Sequence, residues 1–71
     1  MHVSSLKKPK GTRWTQEEDV YLVGMLERGG LSVEEVASDL RREPSTVHSR
    51  VATLKKFWRY GHLLDQWDAE S

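Results

Sequence analysis

The sequence predicts a small all-α fold of three helices with a C-terminal extension that forms either a fourth helix or an exposed aromatic segment. Two serine or threonine capping boxes each precede a stretch of helical apolar periodicity. A proline then opens a third such stretch, and no segment alternates as a strand would. With 71 residues and no cysteine, the chain suffices for one domain whose stability depends on helix packing.

The first helix is predicted for residues 16–28. Thr15 is its cap, because the hydroxyl can accept from the backbone N–H of Glu18 while the Glu18 carboxylate reaches back to the cap. Acids in the first turn suit the helix dipole, and Gly29 or Gly30 ends the helix. Its apolar face comprises Leu22, Met25 and Leu26.

Two further helices follow with only a short turn between them. Ser32 and Glu35 form the second capping box, and a turn at 41–43 leads to Pro44, which suits the first position of a helix. The second helix has the apolar face Val33, Val36, Ala37 and Leu40. The third, predicted for 44 to about 59, has the apolar face Val47, Val51, Leu54 and Trp58. Two helices joined by so short a turn indicate a helix-turn-helix.

The stretch from Trp14 to Lys56 resembles the Myb/SANT-like helix-turn-helix domains, especially the short bacterial and phage versions. The shared features are the "WTQEED" opening and the "PSTVHSRV" third helix. Trp14 matches the first core tryptophan of the family, whereas Leu31 and Val51 stand in place of the second and third. The resemblance implies that the third helix is a recognition helix, although SANT-like members can instead bind proteins.

The charges fall in separate blocks that sum to the formal net charge of +0. Residues 1–13 carry +4, residues 14–43 carry −5, residues 44–60 carry +4 and residues 61–71 carry −3. This division matches a predicted organisation into a flexible basic arm at 1–13, a trihelical domain at 14–59 and an aromatic, acidic extension at 60–71. A net charge of zero is therefore compatible with a local, positively charged surface that binds phosphates.

The predicted DNA-contacting residues lie between the apolar positions of the third helix. Hydroxyl groups there can contact phosphates or the edges of nucleobases, and the arginine and lysine side chains can neutralise phosphates. The predicted set is Ser45, Thr46, His48, Ser49, Arg50, Thr53, Lys55, Lys56 and Arg59. Arm contacts to the backbone or minor groove are predicted for Lys7, Lys8, Lys10 and Arg13.

The sequence is compatible with two roles for each of two groups of residues. Phe57, Tyr60, Leu64 and Trp67 would share one face if the helix continued through Gly61, and they form either a fourth packed helix or a protein interface. The acids of the first two helices serve either for capping and solubility or as a docking face for a basic partner. These acids are Glu17, Glu18, Glu34 and Glu35.

The sequence therefore predicts a DNA-binding transcription regulator that is no enzyme and needs no cofactor or metal. Its partner would be double-stranded DNA, bound by a homodimer or cooperatively on repeated half-sites. The alternative function is a protein-binding adaptor that docks on RNA polymerase or another transcription protein. No membrane span or signal peptide is expected, which places a prokaryotic or phage protein in the cytoplasm, on the nucleoid.

Overall fold

In the computed structural model, residues 13–70 are described and form four helices. The helices are α1 (Gln16–Glu27), α2 (Val33–Leu40), α3 (Pro44–Lys56) and α4 (Tyr60–Glu70). No strand occurs within 13–70, and no helix in this range is long and apolar enough to cross a membrane. The all-α prediction and the fourth helix are confirmed. The arm residues Lys7, Lys8 and Lys10 lie outside the described part.

Both predicted capping boxes are formed. The Thr15 hydroxyl accepts from the Glu18 backbone N–H at 3.1 Å, and the Thr15 N–H donates to the Glu18 carboxylate at 3.1 Å. At α2, the Ser32 hydroxyl accepts from Glu35 at 3.2 Å and the Ser32 N–H donates to the Glu35 carboxylate at 2.8 Å. These bonds satisfy helix N–H groups that would otherwise lack partners, so both start sites are set by local sequence.

Helices α2 and α3 each end in a hydrogen-bonded turn of the same type. In both turns a residue other than glycine has a left-handed backbone conformation. Arg41 has φ 60° after α2, and Trp58 has φ 60° after α3. The next residue then donates five positions back, from Arg42 to the Ala37 carbonyl at 3.0 Å and from Arg59 to the Leu54 carbonyl at 2.9 Å. The turn at Trp58 stops α3 at Lys56, so the predicted extension to about 59 is wrong.

The core is made by apolar side chains from all four helices. Its buried members are Val20, Leu22, Val23, Val36, Ala37, Leu40, Val47, Leu54 and Leu63. Trp14, Leu31 and Val51 pack against this core while remaining partly accessible. Trp58 does not belong to it: the predicted burial of this side chain is wrong, because the left-handed turn leaves it 84% exposed.

Helix α4 packs along α1, which places Tyr60 and Trp67, two of the four C-terminal aromatics, against the core. Leu63 is buried, and Tyr60, Leu64 and Trp67 pack against the core while partly buried. Phe57 instead is 61% exposed, because the helix is interrupted between it and the other three. The condition for all four residues to share one face, an unbroken helix from Phe57 through Gly61, is therefore not met.

Polar contacts also tie α4 to α1. The Tyr60 hydroxyl donates to the Glu27 carboxylate at 2.7 Å, and Arg28 binds the Asp68 carboxylate through two hydrogen bonds of 3.0 and 2.8 Å. Gln16 adds a side-chain hydrogen bond to Gln66 at 2.7 Å. These contacts lie at both ends of the helix pair and fix its register.

Gly24 of α1 leaves the space that the Trp67 indole of α4 occupies. A Cβ at this buried position would overlap the Trp67 indole, lying only 2.7 Å from its Cε2 atom. We expect Gly24→Ala to destabilise the domain by about 1–3 kcal/mol, since the indole must move, although alanine favours a helix elsewhere. Gly61→Ala is the matched control, because a Cβ there meets no atom within 4 Å. Urea unfolding of both variants checks the prediction, and equal effects would contradict it.

Candidate nucleic-acid interface

The outer side of α3 is an exposed surface of small polar residues. Since Val47 and Leu54 are buried against the core, most residues between them face solvent, and only Arg50 and Val51 are partly buried. The exposed positions of α3 that were predicted to contact DNA are Ser45, Thr46, His48, Ser49, Thr53, Lys55 and Lys56. The exposed Ala52 lies among them, and no acid occurs between Pro44 and Tyr60.

Three cations lie at the C-terminal end of this surface. Lys55, Lys56 and Arg59 are all exposed. The Lys55 ammonium lies 5.0 Å from the centre of the Tyr60 ring, and the Lys56 ammonium lies 5.6 Å from that of Phe57. Arg59 comes within 3.9 Å of an Asp19 carboxylate oxygen, a separation too long for a hydrogen bond. All three head groups can therefore reach a phosphate.

Arg50 differs from the other predicted DNA contacts, because its guanidinium is bound inside the domain. Its Nε and Nη2 donate to the two Asp19 carboxylate oxygens at 2.9 and 2.7 Å. The pKa of Arg50 is raised above its usual value, mainly by this hydrogen bonding and against an opposing effect of burial. The pair joins α3 to the first turn of α1, so Arg50 orients the helix.

A second ion pair joins the α2–α3 turn to α1. Arg42 binds the Glu18 carboxylate at 3.0 Å, with the side chains only 6% and 1% exposed. The Trp14 ring completes the cluster, since the guanidinium carbons of Arg42 and Arg50 lie 4.3 and 5.6 Å from its centre. Glu18 is thus a structural residue and cannot belong to an acidic docking face.

Sequence reasoning missed the burial of both carboxylates. Glu18 precedes Leu22 by four positions and Asp19 precedes Val23 by four, so helical spacing places each acid above a core residue. That spacing could have identified them, but acids in a first helical turn are usually solvated. Which arginines pair with them depends on tertiary structure.

The two remaining predicted positions, His48 and Arg13, are exposed. His48 lies 3.6 Å from the Glu34 carboxylate, and both side chains are mostly exposed, so this contact contributes little. Arg13 is exposed at the beginning of the described residues.

A shallow groove lies beside the cations, where α3 turns into α4. Its lining residues are Lys55, Trp58, Tyr60, Gly61, His62, Leu64 and Asp65. Burial and the hydrogen bond to Glu27 raise the pKa of Tyr60 above its usual value, so its phenol stays neutral. Phe57 and Trp58, the two exposed large hydrophobic residues of the described range, follow directly after Lys55 and Lys56.

Comparisons of the chain with protein families, with curated proteins and with solved structures find no match. Within residues 13–70, no three side chains of histidine, aspartate or glutamate gather into a potential metal site. The functional assignment therefore depends on the geometry and charge of α3 and its surroundings.

Proposed function

We propose that this protein is a helix-turn-helix DNA-binding regulator of transcription that inserts α3 into the major groove of duplex DNA. The observation that carries the proposal is the exposed outer face of α3, which has no acid of its own and ends in three cations. The short connection from α2 to α3 supports it, because a recognition helix is typically presented by a preceding helix and a tight turn. The Myb/SANT-like resemblance agrees with this arrangement.

The residues of α3 divide into two roles in this proposal. Ser45, Thr46, His48, Ser49 and Thr53 face the base edges and the nearest phosphates, where the small serine and threonine side chains permit a close approach. The phosphates are neutralised by Lys55, Lys56 and Arg59. Arg50 takes no phosphate in this arrangement and instead holds α3 at a fixed angle through Asp19.

The size of the interface favours binding by more than one copy. Helix α3 has 13 residues, a length of roughly 20 Å, and only its outer side is available. Such a surface reads a few base pairs, whereas specific sites bury more protein surface than one small module offers. Two copies bound to repeated half-sites would together bury the additional protein surface.

The proposal predicts steep salt dependence of duplex binding. With three phosphate contacts, the slope of log affinity against log salt concentration is expected to be about −3. Changing Lys55→Ala and Lys56→Ala together should reduce the slope by about 2, because each lysine contributes about 1. Fluorescence anisotropy with labelled duplexes at several salt concentrations measures both slopes.

Arg28→Ala is the matched control, because Arg28 is exposed but pairs with Asp68 on the α1–α4 side. It should leave the slope unchanged. No binding of wild-type protein to any duplex at low salt would contradict the proposal. It would then favour the alternative of a protein-binding adaptor that docks on RNA polymerase, an alternative that the exposed Phe57 and Trp58 would suit.

A further inference from the structure

The turn between α3 and α4 carries two exposed aromatic side chains, Phe57 and Trp58, that duplex recognition by α3 does not use. We call residues 55–59, Lys-Lys-Phe-Trp-Arg, the α3–α4 corner; all five are exposed. Phe57 and Trp58 are 61% and 84% exposed, and together they present an apolar area of roughly 300 Å². Patches of this size on a small protein are commonly functional.

The backbone holds the Trp58 side chain away from the core. Trp58 has φ 60°, and this turn is closed by hydrogen bonds from Trp58 to the Lys55 carbonyl at 3.2 Å and from Arg59 to the Leu54 carbonyl at 2.9 Å. Glycine is the residue that suits this position, and a bulky residue there is rare. Nothing in the core requires the indole, so its presence indicates a role at the surface.

The charges around the indole select the kind of ligand. Lys55, Lys56 and Arg59 flank the two aromatics, and the carboxylates nearby are Asp65 on the groove and Asp19 beneath Arg59. A symmetric contact between two copies centred on Trp58 would bring the three cations of each copy together, which is unfavourable. A ligand with negative charge and flat apolar faces fits better, and unpaired nucleotides have both.

We propose that the α3–α4 corner binds unpaired bases of a nucleic acid strand. One base stacks on the Trp58 indole in the groove above Tyr60 and Leu64, and the backbone phosphates lie against Lys55, Lys56 and Arg59. Phe57 offers a second ring for the adjacent base. This binding does not depend on duplex recognition by α3.

The test uses the full chain and a labelled oligothymidylate of about ten nucleotides. Trp58→Gly should weaken binding by about tenfold or more, because the stacking ring is lost. Trp58→Phe keeps an aromatic face and should bind within a few fold of wild type. Quenching of tryptophan emission on binding should be lost in Trp58→Phe, since Trp14 and Trp67 are partly buried.

Two control variants separate this inference from the proposed duplex function. Arg41→Gly changes the other left-handed residue and should leave oligothymidylate binding nearly unchanged. Ser49→Glu places an acid on the outer face of α3; it should abolish duplex binding and spare the oligothymidylate. If the wild type bound oligothymidylate but no duplex, the duplex proposal would fail and this one would stand.

The inference is overturned if wild type does not bind oligothymidylate, or if Trp58→Gly binds it as tightly as wild type. In that case, sedimentation of wild type and Trp58→Gly over a range of concentrations measures self-association and thereby distinguishes the alternative roles of the corner. Self-association that Trp58→Gly abolishes, with oligothymidylate affinity unchanged, would assign the corner to contact between copies. Unchanged affinity without self-association would favour a protein partner with acidic groups.

Discussion

Replacing Arg42 by alanine is expected to destabilise the domain by about 3–5 kcal/mol, the usual cost of removing one partner of a buried ion pair. The cause is Glu18, whose side chain is 1% exposed and binds Arg42 at 3.0 Å. After the substitution, its carboxylate keeps the Thr15 N–H as a hydrogen-bond donor but loses its counter-charge. The free energy of unfolding of small domains is about 5–15 kcal/mol in total, so the substitution should remove a large fraction of the stability.

The neighbouring Arg41 provides a control that loses the same charge. Arg41 is exposed and has φ 60°, so Arg41→Gly relieves an unfavourable left-handed conformation and should stabilise the domain by roughly 0.5–1 kcal/mol. Urea unfolding followed by circular dichroism gives both free energies. If both variants lost similar, small amounts of stability, the Arg42–Glu18 pair would behave as a surface pair and the structural interpretation would be refuted.

The two ion pairs withdraw two acids and two arginines from the surface, so they leave its net charge unchanged. Asp19 and Glu18 belong to the acidic first turn of α1, yet both are 1% exposed and bind Arg50 and Arg42. Their negative charge is thus withdrawn from the surface and compensated inside. What remains on the outer side of α3 is the cationic end formed by Lys55, Lys56 and Arg59. The same pairs anchor the α2–α3 turn and the middle of α3 on the first turn of α1.

The helices and the outer face of α3 could be predicted because they depend on local signals. Capping boxes act over three residues, Pro44 marks a helix start, and apolar periodicity identifies the buried side of a helix. The ion pairs could not be predicted this way. Glu18 and Arg42 are 24 positions apart, and Asp19 and Arg50 are 31 apart, so only the tertiary arrangement of α1 and the α2–α3 unit brings them together.

Apolar periodicity also fails to locate the C-terminal end of α3. Trp58 follows Leu54 by four positions, which continues the apolar pattern, but the helix has already stopped at Lys56. A glycine normally marks such a stop. Here the nearest glycine, Gly61, lies within α4, whereas the left-handed residue is Trp58 itself. The sequence therefore predicts a buried tryptophan where the structure has an exposed one.

Trp58→Gly is expected to stabilise the domain by roughly 0.5–1 kcal/mol, the opposite of what its predicted burial implies. Loss of a buried tryptophan would cost about 3–5 kcal/mol. In the structure the indole is 84% exposed and the backbone has φ 60°, so glycine removes little packing and relieves the left-handed conformation. The net increase in stability is smaller than the strain energy that glycine removes, because glycine also increases the entropy of the unfolded chain.

Trp58→Ala tests the cause, since it removes the ring but keeps a Cβ in the left-handed conformation. Its stability should stay within about 0.5 kcal/mol of wild type, below that of Trp58→Gly. Urea unfolding at low protein concentration measures both variants without self-association. A loss of several kcal/mol in both would mean that the indole is buried in solution. A gain in Trp58→Gly together with weakened oligothymidylate binding would show that stability at this turn is given up for ligand binding.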